Sequence, residues 1–585
     1  DEEASLILYH KGEAEPAEEI PFTEANRTGR MCAMMVSGFK PEQYEYNFRI
    51  DTKVCQDPYA YGLTGREAFG KITDKEDEHK IRCSFLNTKG YNWMGDAAPK
   101  IPYQDMLLYK IHVRGYTRQA KISPKKRGTF AGLTEMIPYW KELGINAIEL
   151  MPCYEFMEKS LAESGKVMIR QKHQKGRINY WGYQPGFYFA PKSAYCATRK
   201  PQKEFCDMVR AFHEAGIECI MEMYFPADTA PMKALYALWF WKKYYHVDGF
   251  HLTGFPDLSL AAEDPFLKRT KLFAENWNDV MNRRPKQGYV TPGDGTVSVE
   301  EKNLAEYNMQ FMEDMRRFLK GDEGMLSAFE LRNRRNPMEY AVINYMANTN
   351  GFTLMDTVSY DRKHNEKNGE ENRDGSDYNY SWNCGAEGET EDPEICRLRL
   401  KMMKNACVSL MCSRGTPMFL AGDEFGDTRF GNNNPYCQDN EISWLDWKRL
   451  DTNKELYLFF KKMIWFRRRH PVIRSNQKPS DTGFPAVSVH TNRPWDSMIN
   501  QDTKGLAICY AGKTNQREDL VYVAFNVYWE GQTFELPKLP EMYEWRCFAD
   551  TALDGIEEEC KKAAIQEYWL KPRSVAVFVA HRKKQ

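Results

Sequence analysis

The sequence predicts an α/β fold: a (β/α)8 TIM barrel with an N-terminal and a C-terminal β-sandwich. The chain has 585 residues, which is too many for one hydrophobic core and indicates several domains. In residues 101–479, short apolar runs that resemble buried strands alternate with segments of helical periodicity, as in a parallel sheet covered by helices. In residues 1–100 and 480–585, apolar runs are separated by Pro and Gly turns, which is typical of all-β modules.

Both flanking modules are predicted from short strands with alternating or continuous apolar residues. The N-terminal strands are predicted at 5–9, 31–36 and 44–50, and the C-terminal strands at 507–510, 520–525 and 575–579.

The central region contains the repeated β-α units. Its strands are predicted at 106–113, 147–151, 218–225, within 245–254, at 271–274, 342–346 and 416–420. Helices are predicted over 133–143, 204–215 and 453–468, and the first of them ends at the C-cap residue Gly144. A parallel sheet of this length fits a closed barrel best.

Composition and charge exclude several function classes. The chain is 42% hydrophobic and 28% charged, which is typical of a folded protein. A formal net charge of -1 argues against nucleic acid or an anionic membrane as the main partner. The longest apolar run, Ala234 to Trp241, is too short to cross a bilayer.

The 15 cysteines show no C-x-x-C pair. The spacings Cys384…Cys396 and Cys407…Cys412 lack nearby His partners, so neither a metal site nor a cofactor is predicted. Buried thiols in a reducing compartment fit this pattern, and no signal peptide or lipidation motif opens the chain. The expected location is therefore cytoplasmic.

One stretch bears most directly on whether the chain is an active enzyme. The run Tyr245-His246-Val247-Asp248-Gly249-Phe250-His251-Leu252-Thr253-Gly254 reads as a buried strand that delivers polar side chains to a cleft. It resembles the fourth-strand motif V-D-G-F-R-x-D of α-amylase-type glycoside hydrolases (family 13). In that family the last Asp is the catalytic nucleophile and the Arg holds it in place. Here His251 stands in place of the Arg and Thr253 in place of the Asp.

The resemblance to the isoamylase, glycogen-debranching and pullulanase group extends over most of residues 1–480. The matching blocks lie at 109–117, 179–191, 351–385 and 421–444. In addition, Cys55-Gln56-Asp57-Pro58-Tyr59-Ala60 resembles the exit of carbohydrate-binding modules of family 48. Such modules often pack on the catalytic domain without binding glucan, so both roles stay open here. The resemblance implies an α-glucan, such as glycogen or starch, as substrate class.

Retaining α-glucosidases need an acid for the leaving oxygen and a carboxylate about 5 Å away that traps the sugar. The run Lys271 to Trp277 resembles the fifth-strand motif and places Glu275 at the acid/base position. At the nucleophile position Thr253 offers only a neutral hydroxyl, which is a poor substitute. The pair Thr349-Asn350 stands where the family has H-D, and Asn350 lacks the charge that stabilises an oxocarbenium-like centre.

The third-strand motif D-x-x-x-N-H is also altered, since Pro226 and Ala227 replace its Asn and His. Proline donates no backbone hydrogen bond, and alanine offers no polar side-chain atom to a sugar. These substitutions all fall on one subsite. The sequence therefore predicts an impaired or inactive retaining glycosidase on a debranching-enzyme scaffold.

Some cleft residues are retained. Tyr183 stands at the position of the family's sugar-stacking Tyr, with Trp181 beside it. The predicted substrate-binding residues are Tyr183, Trp181, His251 and Thr349.

Three functions compete. The first is a protein that binds α-glucan, or a partner enzyme, without cleavage. The second is an active α-1,6-glucosidase with Glu275 as acid and a displaced carboxylate as base, for which Asp228, Asp257 and Asp356 lie near predicted strand ends. An inverting mechanism would need such a base about 6.5–9.5 Å from the acid. The third is a protein-interaction scaffold that binds no sugar.

Overall fold

The structure is a computed structural model that describes residues 3–38, 40–71, 79–86, 91–158, 177–283, 302–500, 503–553 and 566–583. A closed barrel of eight parallel strands lies between an N-terminal and a C-terminal group of antiparallel sheets. The predicted fold class is therefore confirmed. The domain boundaries near residues 100 and 480 stay a prediction.

The N-terminal part is a six-stranded antiparallel sheet of order β2-β1-β5-β8-β7 in which β6 also pairs with β5, plus a separate β3-β4 hairpin. Its strands are β1 (Ala4–His10), β2 (Glu18–Pro21), β3 (Arg27–Thr28), β4 (Met31–Cys32), β5 (Tyr44–Ile50), β6 (Lys53–Cys55), β7 (Leu63–Thr64) and β8 (Arg82–Ser84). The strand predicted over 31–36 is wrong beyond Cys32. Met31 and Met35 are strongly exposed, so this apolar run has no core face to bury.

The next ten strands belong to the barrel region. They are β9 (Leu108–Ile111), β10 (Ala147–Leu150), β11 (Tyr154–Phe156), β12 (Gly186–Pro191), β13 (Glu218–Tyr224), β14 (Gly249–Thr253), β15 (Lys271–Ala274), β16 (Leu304–Tyr307), β17 (Ala341–Tyr345) and β18 (Thr416–Leu420). The barrel runs in the order β9-β10-β13-β14-β15-β16-β17-β18, while β11 and β12 form a hairpin outside it. The strand β16 is only four residues long and was not predicted.

Helices surround the barrel. They are α1 (Val113–Thr117), α2 (Phe130–Thr134), α3 (Ile137–Leu143), α4 (Pro201–Glu214), α5 (Pro231–Tyr245), α6 (Leu258–Glu263), α7 (Asn278–Arg283), α8 (Met309–Lys320), α9 (Met325–Arg334), α10 (Leu354–Thr357), α11 (Pro393–Met411), α12 (Arg449–Thr452) and α13 (Lys454–Arg469). Gly144 ends α3 with a φ of 100°, as the C-cap prediction requires. The first barrel strand ends earlier than predicted, because the His112 side chain accepts a hydrogen bond from Gly115 N and starts α1.

The C-terminal part contains β19 (Val487–His490), β20 (Gly505–Thr514), β21 (Arg517–Asn526), β22 (Gln532–Glu535), β23 (Tyr543–Asp550), β24 (Glu567–Leu570) and β25 (Ser574–Arg582). A five-stranded antiparallel sheet of order β19-β20-β21-β25-β23 packs against the β22-β24 pair. Among the described helices, none combines the length and the apolar character that crossing a membrane would require.

Candidate functional site

Four charged or polar side chains meet inside the barrel. Lys110 on β9 is the register partner of Glu149 on β10, and Glu222 on β13 is the register partner of His251 on β14. Strand side chains alternate between the two faces of a sheet, so residues at matching levels of a barrel point into the same interior layer. We call Lys110, Glu149, Glu222 and His251 the barrel cluster.

An apolar layer closes the barrel on one side of this cluster. It comes from the residues two positions earlier on the strands and from their neighbours, and it includes Leu108, Ala147, Ile220, Phe273, Ala305, Ile343 and Met418. All of these side chains are buried. The barrel cluster therefore lies on an apolar floor, at the carboxyl-terminal side on which barrel active sites form.

The barrel cluster is held by close ion pairs. Lys110 Nζ lies 3.1 Å from Glu149 Oε1 and 3.0 Å from Glu222 Oε2. His251 Nδ1 lies 2.8 Å from Glu149 Oε1. Tyr307 donates its hydroxyl hydrogen bond to the other oxygen of Glu149, and its ring stacks on the imidazole of His251 with 4.1 Å between ring centroids. Both carboxylates are thus bound by groups of the protein itself.

The electrostatics follow from burial and pairing together. Burial disfavours the ammonium of Lys110, but the charges of Glu149 and Glu222 outweigh it and raise the pKa of Lys110. Burial also disfavours the Glu149 carboxylate, but Lys110 and then His251 outweigh it and lower the pKa of Glu149 to about 2. At neutral pH the cluster therefore contains a fixed ammonium and an ionised Glu149.

Thr253 lies at the edge of the barrel cluster. Its Oγ1 donates to Glu222 Oε1 at 3.3 Å, and the hydroxyl of Tyr183 donates to the same oxygen at 2.9 Å. Burial, followed by the charge of Glu222, raises the pKa of the Tyr183 phenol well above its ordinary value, so this hydroxyl remains a donor. Glu222 is thus contacted by an ammonium and two hydroxyls.

Comparisons with known proteins agree with the motifs. No family model matches the chain. Isoamylase 3 from the rice chloroplast is 30% identical over 93% of this chain and 78% of its own length. A glycogen operon protein GlgX homologue from Haemophilus influenzae is 31% identical over 87% of each chain. The chain belongs to the isoamylase and GlgX family of glycogen and starch debranching enzymes.

Solved pullulanases share the fold of this debranching-family chain. The group B Streptococcus pullulanase SAP, solved with maltotetraose, has a TM-score of 0.72 at 16% identity over 99% of this chain and 85% of its own. The pullulanase from Bacillus acidopullulyticus has a TM-score of 0.68 at 19% identity over 99% of this chain and 72% of its own. At these identities the likeness concerns the fold alone.

In this family member the other predicted catalytic positions lie around the barrel mouth. Glu275 follows β15 and its side chain is exposed. Burial raises the pKa of Tyr345 to about 12, and the nearby charge of Glu275 acts in the same direction. Asn350 is exposed as well, whereas Thr349 is buried and donates from Oγ1 to the sulfur of Met151 at 3.6 Å. The catalytic roles of Glu275 and Asn350 stay predictions.

The predicted sugar-binding residues differ in exposure. Tyr183 is half-buried at the mouth, with its hydroxyl on Glu222. Trp181 is buried beneath it, with 5.9 Å between the two ring centroids. His251 is buried in the barrel cluster, where it pairs with Glu149 instead of facing open space. Of these three residues only Tyr183 is partly exposed, and the substrate-binding roles stay predictions.

The three carboxylates proposed as displaced bases have other surroundings. Asp356 is fully buried and accepts hydrogen bonds from the Thr428 hydroxyl and from Arg429 N. Asp257 caps α6 by accepting from Ser259 N. Asp228 is exposed in the loop after β13. The carboxylate that contacts the nucleophile position is instead Glu222, which belongs to the altered third-strand motif.

Three members of the barrel cluster have ligand atoms that could surround a metal ion. One atom each from Glu149, Glu222 and His251 lies within 4.8 Å of the others. The ammonium of Lys110 pairs with both carboxylates, however, and so already supplies the positive charge that a metal would bring. The prediction of no metal stays a prediction.

Sequence reasoning missed Lys110, Glu149 and Tyr307. The sequence does contain an indication for Lys110 and Glu149, because each is a charged residue inside an otherwise apolar strand. Such a residue faces either solvent or a partner inside the protein. For Tyr307 there is no such indication, because β16 is too short to show a periodicity.

Proposed function

We propose that this debranching-family chain binds α-glucan, or a partner enzyme, without cleaving α-1,6 bonds by the family's retaining mechanism. One observation carries the proposal. The position that should hold the nucleophile has the hydroxyl of Thr253, and that hydroxyl donates to a carboxylate which is itself ion-paired with Lys110.

A threonine cannot take over the chemistry of the missing Asp. Glu222 accepts from the Thr253 hydroxyl at 3.3 Å, but this carboxylate is also ion-paired with Lys110 and accepts from the Tyr183 hydroxyl, so it is not dedicated to Thr253. A sugar attached to a threonine oxygen would also be an ordinary glycoside with a poor leaving group. The family's intermediate is an ester with a carboxylate leaving group, which water hydrolyses readily.

The positions that support the transition state are weakened too. Asn350 is neutral, and Pro226 and Ala227 offer no side-chain donor or acceptor. Removing one contact to developing charge typically costs about 3–4 kcal/mol of transition-state stabilisation. Even when such losses are not additive, several of them exceed what the acid Glu275 alone supplies.

Glucan binding has separate support. Tyr183 keeps an aromatic ring at the barrel mouth, and two relatives are a glycogen operon protein homologue and an isoamylase. A solved pullulanase of the same fold is a complex with maltotetraose. An uncleaved glucan chain, held at the mouth, is the ligand that these features favour.

The direct test uses the purified chain at high concentration with pullulan, glycogen and maltooligosaccharides. We expect glucan-dependent retardation in native gels and no new reducing ends above a protein-free blank. Wild type is compared with Glu275→Gln. Turnover that this substitution abolishes would show a working acid and refute the proposal.

A second function is favoured by the contact between Glu222 and Thr253. A carboxylate so close to the nucleophile position makes Glu222 the best candidate for the base of an active α-1,6-glucosidase with Glu275 as acid. This reading predicts reducing ends in the same assay and their loss in Glu222→Gln. A glucan that is bound but never cleaved rules it out.

A protein-interaction scaffold without sugar binding is the third candidate. It predicts no retardation in gels containing glycogen or amylopectin, whereas the first candidate predicts retardation that Tyr183→Ala reduces.

A cytoplasmic location is part of the proposal. All 14 described cysteines carry free thiols, and burial raises the pKa of Cys219 and Cys407, as in a chain kept reduced.

A further inference from the structure

We propose that an aromatic pocket on the outer surface of the barrel is a second α-glucan site, separate from the barrel mouth. This inference rests on the proposed function, because it assumes that the chain binds α-glucan. The pocket has a volume of about 220 Å³. It is lined by Tyr59, Tyr61, Phe189, Tyr236, Trp239, Phe240, Lys243 and Tyr244, which we call the aromatic pocket.

The aromatic pocket joins two parts of the chain. Tyr59 and Tyr61 come from the loop between β6 and β7 of the N-terminal sheet, while Tyr236 to Tyr244 come from α5 and Phe189 from β12. Tyr59 belongs to the block that resembles the exit of a carbohydrate-binding module, and the barrel chemistry leaves this block without a role. The pocket therefore lies where the N-terminal module meets the barrel.

The rings form a continuous, ordered surface. Tyr59 stacks on Phe189 with 5.2 Å between centroids and 29° between planes. Tyr61 stacks on Phe240 at 5.3 Å and 20°. The rings of Phe189 and Phe240 meet edge to face at 5.4 Å and link the two stacks. Packing of this kind fixes the rings before any ligand arrives, which reduces the entropy lost on binding.

Two rings stay open to solvent at the rim. Tyr59 is 47% exposed beside the buried ring of Phe189, and Tyr236 is 45% exposed beside the half-buried ring of Trp239. A tyrosine in this position offers a flat apolar face and a hydroxyl that can donate or accept. Exposed apolar surface beside a formed pocket is a common sign of a binding site.

The chemistry of the lining selects a neutral sugar. Of the eight lining residues seven are aromatic and none is aliphatic, so the surface is flat where a protein helix or a lipid chain would need a deep apolar groove. The charged member is Lys243, whose ammonium lies 5.2 Å from the ring centroid of Tyr244. None of the eight lining residues is a carboxylate, so a metal ion is not favoured. Lys233, whose ammonium lies 5.0 Å from the ring centroid of Tyr59, is a second cation beside the pocket, and each of the two ammonium groups lies near an aromatic ring. A glucose unit is uncharged, with C–H groups on its faces and hydroxyls at its edge. Its C–H groups suit the aromatic rings of the pocket, and its hydroxyls suit the tyrosine hydroxyls at the rim.

The aromatic pocket is not part of the barrel mouth. In a (β/α)8 barrel each helix runs antiparallel to its strand, so the last residues of a helix lie on the side away from the active site. Trp239 to Tyr244 occupy the second half of α5, which ends at Tyr245 just before β14.

The test measures glucan binding by the full chain with separate variants for the two sites. Tyr59→Ala with Tyr236→Ala alters the aromatic pocket, and Tyr183→Ala alters the mouth. Trp529→Ala is the matched control, because Trp529 is also strongly exposed but lies in the C-terminal part. Retardation in glycogen gels and calorimetric titration with maltoheptaose give the affinities, and thermal unfolding checks that each variant is folded.

We expect the pocket double variant to bind glycogen about tenfold more weakly, because loss of two aromatic contacts corresponds to roughly that factor. Trp529→Ala should bind as wild type does, and Tyr236→Phe, which keeps the ring, should retain most of the affinity. Wild-type affinity in the double variant, together with loss in Tyr183→Ala, would overturn this inference and leave the proposed function standing. No glycogen binding by wild type would overturn both. A change of oligomeric state in the double variant at unchanged glucan affinity would identify a protein contact and also overturn it.

Discussion

Lys110→Met is the substitution that tests the barrel cluster most directly. It removes the ammonium that lies 3.1 Å from Glu149 and 3.0 Å from Glu222, and it replaces it with an apolar side chain of similar length. Removing one partner of a buried ion pair costs about 3–5 kcal/mol, because the remaining charge stays buried without compensation. The pKa of Glu149 gives a similar figure, since a decrease from 4.5 to about 2 is linked to about 3 kcal/mol of stability at neutral pH.

The sign of the pH dependence distinguishes this mechanism from a packing defect. In wild type the pKa of Glu149 is lowered, so its contribution is present above the pKa of the unfolded chain and is lost as pH falls from about 4.5 to about 2. In Lys110→Met the burial of Glu149 is no longer outweighed by that cation. We expect its pKa to rise, so the variant should lose stability as pH increases through about 4.5. The difference between the two proteins should be largest near pH 7 and smaller near pH 4.

Thermal unfolding followed by circular dichroism measures this difference. For a barrel domain of about 380 residues, 3–5 kcal/mol corresponds to a decrease in Tm of about 4–6 °C. Lys461→Met is the control, because Lys461 forms a 2.8 Å ion pair with Glu142 in which both side chains are partly exposed, and such pairs contribute about 0–1 kcal/mol. Equal Tm values for the two variants at pH 7, or an equal penalty for Lys110→Met at pH 4 and pH 7, would refute the reasoning.

A compensating substitution sharpens the test. If Lys110 supplies the cation that the family motif has at position 251, then His251→Arg in the Lys110→Met background should recover part of the lost Tm. The guanidinium would project from β14 next to Glu149 and Glu222, as His251 does now. No recovery in the double variant, with His251→Arg alone folded, would show that the two cations are not interchangeable.

Three further outcomes are expected. Thr253→Asp with Asn350→Asp should leave pullulan hydrolysis at the blank level, and robust release of reducing ends would show a better preserved site than proposed. Arg467→Met should lower Tm far more than the exposed neighbour Arg469→Met, because buried Arg467 donates to three backbone carbonyls at 2.6–2.7 Å and unpaired buried acceptors cost about 1–3 kcal/mol each. Burial raises the pKa of the Cys407 thiol well above its ordinary value, so native Cys407→Ser should show as many fast-reacting thiols with Ellman's reagent as wild type, in which exposed Cys32 and Cys396 react; one fast thiol fewer in the variant would contradict that burial.

Much of the fold could be predicted because the signals are local. The strand β5 (Tyr44–Ile50), the strand β18 (Thr416–Leu420) and the cap at Gly144 follow from apolar runs and a glycine with a positive φ. The strand predicted over 31–36 failed, since an apolar run predicts a strand only where a sheet face is there to bury it. Local patterns carry no information about that face.

The candidate site could be predicted only in part, and for a different reason. Motif positions identified Thr253 and Glu275, but the partners of Glu222 come from three different segments that are far apart in the chain. The contact between Lys110 and Glu222 depends on the closure of the barrel and on strand register, which side-chain type alone does not specify. The pairing of Lys110 on the first barrel strand with Glu222 on the third therefore became visible only in three dimensions.

This pairing explains why restoring a nucleophile alone should not restore hydrolysis. A carboxylate introduced at Thr253 would lie beside Glu222, whose Oε1 is already only 3.3 Å from the threonine hydroxyl. Two carboxylates at that separation disfavour each other's ionisation, so one of them would take up a proton. Lys110 cannot relieve this, because it approaches Glu222 from the opposite oxygen and also neutralises Glu149. The barrel cluster thus stabilises a set of charges that is complete without substrate, and a carboxylate at position 253 would add a negative charge that Lys110 does not compensate.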